Sequence, residues 1–472
     1  MKAAASHEVI VIGGGSGGHA AARTAASLGA RTALIECAPI LGGLCILRGC
    51  MPSKILIETS KRMRQIRDAS RFGIRVGPPE LDPEALRERV RDLIAEFRQA
   101  REYEMTTGAY ELLRGTAAFK TPHELQLTAP DGRARLLSAH AYVIATGSAT
   151  SIPEIPGLAE TPYWTSDDVV HLPFLPRHLA VVGAGAVGME YAHLFEGLGS
   201  QVTVIARGGT IMGGLDPEIS AVIEAESTAR GIRFLKETTL KSVNHGKGRF
   251  RLELEGAVES LESDALLMAT GRSPSTSGLG LEEIGIATEK GRIVIDERCA
   301  TSRSDVFAAG DCASPVPVVH LAVIQGEVAG KNAVRLVKDG VRDAPAEWNR
   351  RSAMTAWFTA PQCVQIGLSL QEAAAQGRPV LSAKADYADH GKGMIAGCRR
   401  GFVKIIADAA EGRLLGASGA GPQVAETGHL LQEAIELGLT APGYLAIPHY
   451  HPTFAEAWSR AAEGIVSQLE GI

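Results

Sequence analysis

Residues 8–36 carry the strongest structural signal in the chain and read EVIVIGGGSGGHAAARTAASLGARTALIE. An apolar, β-branched run at 8–12 is followed by a glycine-rich turn, an alanine-rich segment and a second apolar run that ends at Glu36. This order predicts strand, turn, helix and strand, the βαβ context in which G-x-G-x-x-G binds a dinucleotide. The pyrophosphate would lie at the helix N-terminus. The glycines of this first fingerprint are Gly13, Gly15 and Gly18.

Residues 179–207 repeat the pattern and read LAVVGAGAVGMEYAHLFEGLGSQVTVIAR. An Ala-Thr-Gly triplet also closes a later apolar run in each half, at 145–147 and at 269–271. The alternative is two unrelated glycine turns, but two of them, each between a β-branched strand and a helix, favour two nucleotide sites. Two such sites on one chain predict a relay between two cofactors. The glycines of the second fingerprint are Gly183, Gly185 and Gly188.

Composition excludes several function classes. A chain of 472 residues is expected to form two to four domains. A net charge of −5 from 48 basic and 53 acidic residues does not indicate a nucleic-acid surface. The chain contains no apolar run of about 18 residues, so no membrane span is predicted. Because the first predicted strand begins within the first ten residues, no signal peptide is expected. A cytoplasmic location is therefore expected.

The seven cysteines, an odd number, do not form the pattern of a disulfide framework. Only Cys45 and Cys50 form a close pair, so no zinc or other metal site is predicted. Disulfide-bonded Cα atoms lie about 4.4–6.8 Å apart, whereas residues five apart in an ideal helix are roughly 8.7 Å apart. A bridge between these cysteines requires a distorted turn, for which Gly49 is permissive. The alternative is two buried, reduced core cysteines.

The segment 41–54, LGGLCILRGCMPSK, resembles the redox centre of the class I pyridine nucleotide–disulfide oxidoreductases. This family includes dihydrolipoamide dehydrogenase, glutathione reductase and the core of mercuric reductase. The resemblance covers nearly the whole chain, in the order first fingerprint, dithiol, second fingerprint, Gly-Asp motif and C-terminal His-Pro-Thr. It implies an α/β fold with two Rossmann-like domains and a C-terminal α+β dimerisation domain. The expected ranges are 1–150 and 275–345 for FAD, 151–274 for NAD(P), and 346–472 for dimerisation.

The resemblance implies roles for the residues around the dithiol. Cys50 would lie beside the flavin as the charge-transfer thiolate, and Cys45 would attack the substrate disulfide. Lys54 resembles the family lysine near flavin N5, and Glu190 the glutamate that pairs with it. A fixed cation beside the ring favours the reduced, anionic flavin. Without the other motifs, Lys54 and Glu190 would be interpreted as ordinary surface charges.

FAD is the first implied cofactor. Glu36 ends the second strand and is expected to accept hydrogen bonds from the ribose hydroxyls. Asp311, after Gly310, resembles the family acid that binds the ribityl chain. The remaining predicted FAD-binding residues are the first-fingerprint glycines, Lys54, Gly115, Thr146, Gly147 and Gly310.

The predicted acid–base pair lies in residues 448–456, PHYHPTFAE, which resemble the family's C-terminal His-Pro-Thr motif. Neutral imidazole can accept the Cys45 proton, and a carboxylate can hold the ring in one tautomer. His451 is assigned as the base and Glu456 as its orienting partner, with His449 as the competing histidine. In this family the motif reaches the dithiol of the other subunit, so a homodimer with shared active sites is expected.

The nicotinamide nucleotide is expected to be NADP(H) rather than NAD(H). Ala206 provides no carboxylate for a ribose 2′-hydroxyl, while Arg207 can meet a 2′-phosphate. The second arginine found in NADP-linked relatives is replaced by Gly213. A surface arginine without a cofactor role is the alternative. The predicted nucleotide-binding residues are the second-fingerprint glycines, Arg207 and Gly271.

The substrate is expected to be a small-molecule or lipoyl-type disulfide, with dihydrolipoamide as the leading candidate. Leu44 and Leu47 replace the usual threonine and asparagine, and Arg48 adds a charge between the cysteines. The chain has no C-terminal cysteine pair of the mercuric reductase type. The alternatives are a mercuric reductase-like or glutathione reductase-like enzyme, an NAD(P)H oxidase or quinone reductase, and a non-enzymatic redox sensor.

Overall fold

The structure is a computed structural model that describes residues 5–340 and 346–471. Its helices are α1 Ser16–Ser27, α2 Gly43–Leu47, α3 Cys50–Arg67, α4 Pro83–Thr107, α5 Ser166–Val169, α6 Ala186–Leu198, α7 Pro217–Ala229, α8 Val319–Asp339, α9 Leu370–Ala375, α10 Gly391–Ile395, α11 Val424–Glu436, α12 Ala441–Leu445 and α13 Glu456–Glu470.

The strands belong to several separate sheets. In chain order they are β1 His7–Ile12, β2 Thr32–Glu36, β3 Glu111–Arg114, β4 Thr116–Thr121, β5 Glu124–Thr128, β6 Ala134–Leu137, β7 Ala139–Ile144, β8 Ser148–Thr150, β9 His178–Val182, β10 Gln201–Ile205, β11 Arg233–Leu235, β12 Thr239–Gly246, β13 Arg249–Glu255, β14 Ser260–Ser263, β15 Ala265–Met268, β16 Arg272–Pro274, β17 Thr288–Glu289, β18 Arg292–Ile293, β19 Val306–Ala308, β20 Met354–Trp357, β21 Gln362–Gly367, β22 Val380–Asp386, β23 Phe402–Asp408 and β24 Leu414–Gly421.

The first of two compact units comprises Met1–Ile55, Glu84–Ser151 and Arg272–Trp348. Its main sheet is parallel, in the order β19-β7-β1-β2-β3. The strand order reverses at β1, whose neighbours are β2 on one side and β7 on the other. In such sheets ligands bind beyond the carboxyl end of the strand at the reversal. The first glycine turn follows β1 at this position.

The second unit comprises Leu56–Pro83, Ile152–Gly271 and Asn349–Ile472. A parallel sheet, β11-β10-β9-β15, carries the second glycine turn after β9. An antiparallel sheet, β20-β21-β24-β23-β22, forms the C-terminal part. Helices α11 and α13 cover this sheet, and their buried faces include Leu431 and the fully buried Trp458. The predicted α/β fold with a C-terminal α+β part is confirmed.

The sequence pattern predicts a strand from Val202 to Ala206, a charged, helix-patterned stretch at 60–114 and a helix-like segment at 453–470. The structure differs from each of these boundaries. Strand β10 ends at Ile205 rather than Ala206, because its partner β11 ends at Leu235, the register partner of Ile205. Helix α3 begins at Cys50, ten residues before the predicted helix-patterned stretch that starts at residue 60. Helix α13 begins at Glu456 rather than 453, because the Thr453 amide bonds the Glu456 carboxylate instead of continuing a helix.

The predicted domain boundaries stay predictions. Residues 341–345, which precede the predicted start of the C-terminal domain, lie outside the described residues.

Candidate flavin, dithiol and nucleotide sites

The first glycine turn leaves no space for side chains at two of its three fingerprint glycines. Gly13 has φ +100°, and a Cβ there would lie 2.4 Å from the Ala145 carbonyl oxygen. A Cβ on Gly18 would lie 1.7 Å from the Gly13 oxygen, so helix α1 packs directly on the turn. Gly15, by contrast, faces open space and begins α1 without a side-chain cap. The turn therefore leaves backbone amides available for an anion, as a pyrophosphate site requires.

Glu36 holds the first glycine turn in place. Its buried carboxylate accepts the Gly14 amide at 2.8 Å through Oε2 and the Ala38 amide at 2.7 Å through Oε1. Each carboxylate oxygen has a further lone pair for another donor. Glu36 is thus a structural residue of the turn, and its predicted contact with ribose hydroxyls stays a prediction.

Asp311 belongs to a hydrogen-bonded chain in the first unit. Ser148 Oγ donates to Asp311 Oδ2 at 2.7 Å, and Arg272 Nε donates to Ser148 Oγ at 2.9 Å. These three side chains share the lining of a cleft of about 540 Å³. Sequence reasoning missed Ser148 and Arg272, although each directly follows one of the two Ala-Thr-Gly triplets. That repeat was the signal that could have identified them.

The other predicted FAD residues lie around the same sheet ends. Thr146 Oγ1 is buried and interacts with the Cys312 thiol, but it makes no well-formed hydrogen bond with the described residues, as expected for a group that a ligand satisfies. Gly147 and Gly310 have φ +72° and +74°. Packing alone requires a glycine at position 115, because a Cβ there would lie 2.3 Å from the Thr128 carbonyl oxygen. The glycine cradle and the orphaned hydroxyl fit FAD, which Glu36 and Asp311 would help to hold.

The dithiol occupies a break between two helices. Cys45 lies on α2, Cys50 is the first residue of α3, and Arg48 and Gly49 interrupt the helical path. A Cβ on Gly49 would lie 3.0 Å from the Leu44 carbonyl oxygen. Gly49 is not among the residues with positive φ, so the break uses its small size rather than left-handed freedom.

The two cysteine side chains interact with each other. Both are in the thiol form, with Cys45 half-buried and Cys50 exposed. The hydrogen bond with Cys50 and burial raise the pKa of the Cys45 thiol, against a smaller opposite effect from Lys54. The two thiols therefore lie within hydrogen-bonding reach of each other, and the bridge between them stays a prediction.

Two glycines pack the dithiol helix against the first glycine turn. Gly42 and Gly43 have φ +143° and +69°, conformations that favour glycine. A Cβ on Gly43 would lie 2.8 Å from the Gly15 Cα, so the start of α2 touches the proposed pyrophosphate turn. A Cβ on Gly42 would lie 3.0 Å from Leu47 Cγ. The leucine at position 47 thus covers the entry to α2 with apolar surface.

The second glycine turn repeats the geometry of the first. Gly183 has φ +110°, and a Cβ there would lie 2.2 Å from the Ala269 carbonyl oxygen. A Cβ on Gly188 would lie 2.0 Å from the Gly183 oxygen, while Gly185 faces open space and begins α6 without a side-chain cap. Two independent turns with the same pattern of crowded and open glycines indicate the same class of ligand.

The segment after β10 borders this second turn. Ala206 is buried and Arg207 is exposed. The Met212 amide donates to the Ala184 carbonyl at 2.7 Å, which attaches the segment to the glycine turn. Gly271 has φ +118° and faces open space.

Lys54 and Glu190 lie on different helices. Lys54 is half-buried on α3. Glu190 lies on α6, and its Oε1 accepts the Phe358 amide at 2.9 Å. The predicted pairing of these two residues stays a prediction.

The two histidines of the C-terminal motif, His449 and His451, have different surroundings. His451 Nδ1 lies 2.8 Å from Glu456 Oε1, and the Thr453 amide donates to Oε2 at 2.8 Å. Burial alone would raise the pKa of Glu456, but the bonds from Thr453 and His451 hold it below its ordinary value. The His449 ring instead packs on Tyr444, with centroids 4.7 Å apart. His451 therefore has the geometry of an oriented base, and His449 has that of a packing residue.

None of the helices in residues 5–340 and 346–471 combines the length and apolar character that a bilayer crossing requires. Within the same ranges, no group of three or more His, Cys, Asp or Glu side chains is placed to hold a metal ion.

Comparisons with known proteins agree with this geometry. Residues 7–326 match the pyridine nucleotide-disulphide oxidoreductase family, and residues 353–462 match its dimerisation domain. A mercuric reductase of Shewanella putrefaciens is 34% identical over 88% of this chain and 72% of its own length. A dihydrolipoyl dehydrogenase of Chlamydia pneumoniae is 31% identical over 96% of both chains.

A solved structure shares the fold over nearly the whole chain. It is the HOCl-induced flavoprotein disulfide reductase RclA from Escherichia coli, with a TM-score of 0.81, 24% identity, and coverage of 97% of this chain and 99% of that one. The dimerisation-domain match supports a homodimer. The chain belongs to the pyridine nucleotide-disulphide oxidoreductase family, whose members are FAD-dependent enzymes that use a pyridine nucleotide and act on sulfur groups.

Proposed function

We propose that this enzyme transfers two electrons between NADP(H) and a small dihydrolipoamide-type disulfide through Cys45 and Cys50. The observation that carries the proposal is the pair of hydrogen-bonded thiols at the break between α2 and α3. The contact of Gly43 with Gly15 supports it, because the same helix start touches the turn that would hold the FAD pyrophosphate.

The thiols would exchange with the substrate in two steps. In the reducing direction, the Cys45 thiolate attacks one sulfur of the substrate disulfide and releases the first substrate thiol. Cys50 then attacks the Cys45 sulfur, which closes the Cys45–Cys50 bridge and releases the second. FAD, when bound, supplies the two-electron relay between nucleotide and dithiol. One NADPH and one proton thus convert a disulfide into two thiols, and the reverse flow oxidises a dithiol.

The separate roles of the cysteines rest on the family resemblance. Cys50 is the more exposed thiol in the structure, so exposure alone does not assign the attacking sulfur. The raised pKa of Cys45 means that it needs a base to form its thiolate.

His451 would be that base. Because Nδ1 is held by Glu456, the Nε2 atom is left to exchange a proton with a thiol. The side chain is 78% exposed, which leaves it accessible to a second subunit. We propose that each site of the homodimer is completed in this way.

NADP(H) is the proposed nucleotide. Ala206 offers only a buried methyl group where a carboxylate would bind a ribose 2′-hydroxyl. Arg207, the next residue, is exposed beside a segment attached to the second glycine turn. The Arg207 guanidinium would supply a positive charge for the 2′-phosphate of NADP(H).

Reduction of mercuric ion is the second candidate, because mercuric reductases reach 35% identity to this chain. A steady-state screen of NADPH and NADH against lipoamide, glutathione disulfide, mercuric ion and quinones separates the possibilities. We expect turnover with a disulfide that is lost in both Cys45→Ser and Cys50→Ser. Cys398→Ser, which changes a half-buried cysteine outside the pair, is the matched control. Full activity of Cys45→Ser with quinones alone would instead identify an oxidase or quinone reductase.

A further inference from the structure

A largely buried ion pair joins the C-terminal sheet to helix α7 within the second unit. Lys404 Nζ lies 2.8 Å from Asp216 Oδ2, and Ser418 Oγ donates to the same oxygen at 2.8 Å. The two charged side chains are only 9% and 11% exposed. Lys404 and Ser418 are register partners on β23 and β24, so the sheet presents both donors side by side.

Asp216 is held in its charged form. Burial alone would raise its pKa, but the hydrogen bonds from Lys404, the Glu218 amide and Ser418 keep the pKa below its ordinary value. Removing two charges from water is unfavourable, so a buried pair is a weak source of net stability. A buried ion pair can instead favour one local conformation over others.

The arrangement selected here is the start of α7. Asp216 is the N-cap of that helix, and its Oδ1 accepts the Glu218 amide at 3.0 Å. Asp216 also directly follows the segment 207–215, which begins at Arg207, two residues after the end of β10. Whatever fixes Asp216 therefore fixes one end of this segment.

The segment 207–215 also lies against the second glycine turn. Its middle is attached by the bond from the Met212 amide to the Ala184 carbonyl at 2.7 Å. Ile211 is fully buried and Met212 nearly so. The segment thus has one attachment at the glycine turn, another at the buried ion pair and a third beside Arg207, where the Glu237 amide donates to the Gly208 carbonyl at 3.3 Å.

We infer that Lys404 and Ser418 are positioning residues for the nicotinamide nucleotide, because they hold the Asp216 end of the segment that carries Arg207. The inference rests on the proposed nucleotide site at the second glycine turn. Neither residue would touch the nucleotide. Ser418 acts through Asp216, and Lys404 acts through Asp216 and through Glu218, with which it also pairs at the start of α7. The C-terminal part of the chain would then contribute to nucleotide affinity as well as to dimerisation.

The test is calorimetric titration of the oxidised, FAD-loaded dimer with NADP⁺ and NAD⁺. We expect Lys404→Met to weaken NADP⁺ binding by roughly fivefold or more, the range of typical coupling between sites. Lys404→Arg should recover most of the affinity. Arg400→Ala is the matched control. Arg400 makes an exposed ion pair at 3.0 Å with Glu226, which lies further along helix α7 than Asp216.

Thermal midpoints and the KM for the disulfide distinguish positioning from mere stability. A lower midpoint in Lys404→Met with unchanged NADP⁺ affinity would overturn the inference. If that variant does not fold, Ser418→Ala removes one donor and keeps the ion pair, and an unchanged affinity there would equally refute it. If the wild-type enzyme binds neither nucleotide, the proposed function itself fails.

Discussion

His451 and Glu456 form a hydrogen-bonded pair in which Nδ1 and Oε1 are 2.8 Å apart, while the second carboxylate oxygen accepts the Thr453 amide. Both oxygens of Glu456 are therefore engaged, and the imidazole is held in one orientation. Replacing His451 by alanine should lower kcat with a disulfide substrate at least tenfold, because acid–base catalysis typically contributes about 10²–10⁴-fold. Steady-state kinetics with NADPH in excess measure this loss.

His449 provides the matched control for this prediction. Its ring packs on Tyr444 and lies two residues from His451. We expect His449→Ala to retain most of the activity, with an effect on thermal stability instead. Equal losses in the two variants would show that the motif needs its packing and not a specific base.

The first glycine turn permits a sharper test of flavin binding. A Cβ on Gly18 would lie 1.7 Å from a backbone oxygen, whereas a Cβ on Gly15 would meet nothing within 4 Å. Gly18→Ala should therefore reduce both FAD content and thermal stability. Gly15→Ala should fold normally and lose FAD affinity only.

The ratio of flavin absorbance to protein absorbance, together with melting of the FAD-free proteins, separates these effects. The expectation for Gly15 is contradicted if its alanine variant binds FAD as tightly as the wild-type protein. It is also contradicted if the FAD-free form melts as early as the Gly18 variant.

Local patterns explain why the fold and much of the site were predictable. A glycine fingerprint is contained in one βαβ unit, so the crowding of Gly13 and Gly18 follows from about six consecutive residues. The need for a distorted turn between Cys45 and Cys50 likewise follows from helix geometry, and the structure contains a break there. The pairing of His451 with Glu456 joins residues only five positions apart.

Long-range partners were not predictable from one sequence. Lys404 and Asp216 are 188 positions apart, and neither stands in a motif that indicates the other. The structural role of Glu36 was hidden for a different reason, because its partners are backbone amides that have no sequence signature. The end of β10 at Ile205 depends on where β11 ends, which is a property of the sheet and not of the strand.

Arg207 should set nucleotide preference. Because a charge-assisted hydrogen bond contributes about 1.5–3 kcal/mol, Arg207→Ala should raise the KM for NADPH by roughly 10-fold or more and leave the KM for NADH nearly unchanged. Kinetics with each nucleotide measure the two values. Arg233→Ala, which removes an exposed arginine from the neighbouring strand β11, is the control. An unchanged KM for NADPH in Arg207→Ala would leave Arg207 as a surface charge, and equal rises for NADPH and NADH would exclude a contact with the 2′-phosphate.

His193 makes the stability of the second unit depend on pH. The side chain is buried on α6, where Nδ1 accepts the Ala360 amide at 3.2 Å and Nε2 lies 2.9 Å from Ser227 Oγ. Ser227 Oγ donates onward to the Ile223 carbonyl, so Nε2 carries the proton of the neutral ring. Burial, with smaller effects of Arg64 and Arg230, lowers the pKa of His193 to about 3.

The sign of the pH effect follows from proton uptake. The unfolded chain protonates His193 below its ordinary pKa of about 6.5, whereas the folded protein keeps it neutral until about pH 3. The free energy of unfolding should therefore fall as the pH drops from about 6.5, by on the order of 3 kcal/mol at pH 4.5. Urea denaturation at pH 7.0, 5.5 and 4.5 measures this slope. His193→Gln should flatten this slope, because glutamine cannot titrate, even if the variant is less stable at pH 7. The control is His245→Gln, which removes an exposed histidine and should leave the slope intact. An unchanged slope in His193→Gln would mean that other groups govern the acid sensitivity of this unit.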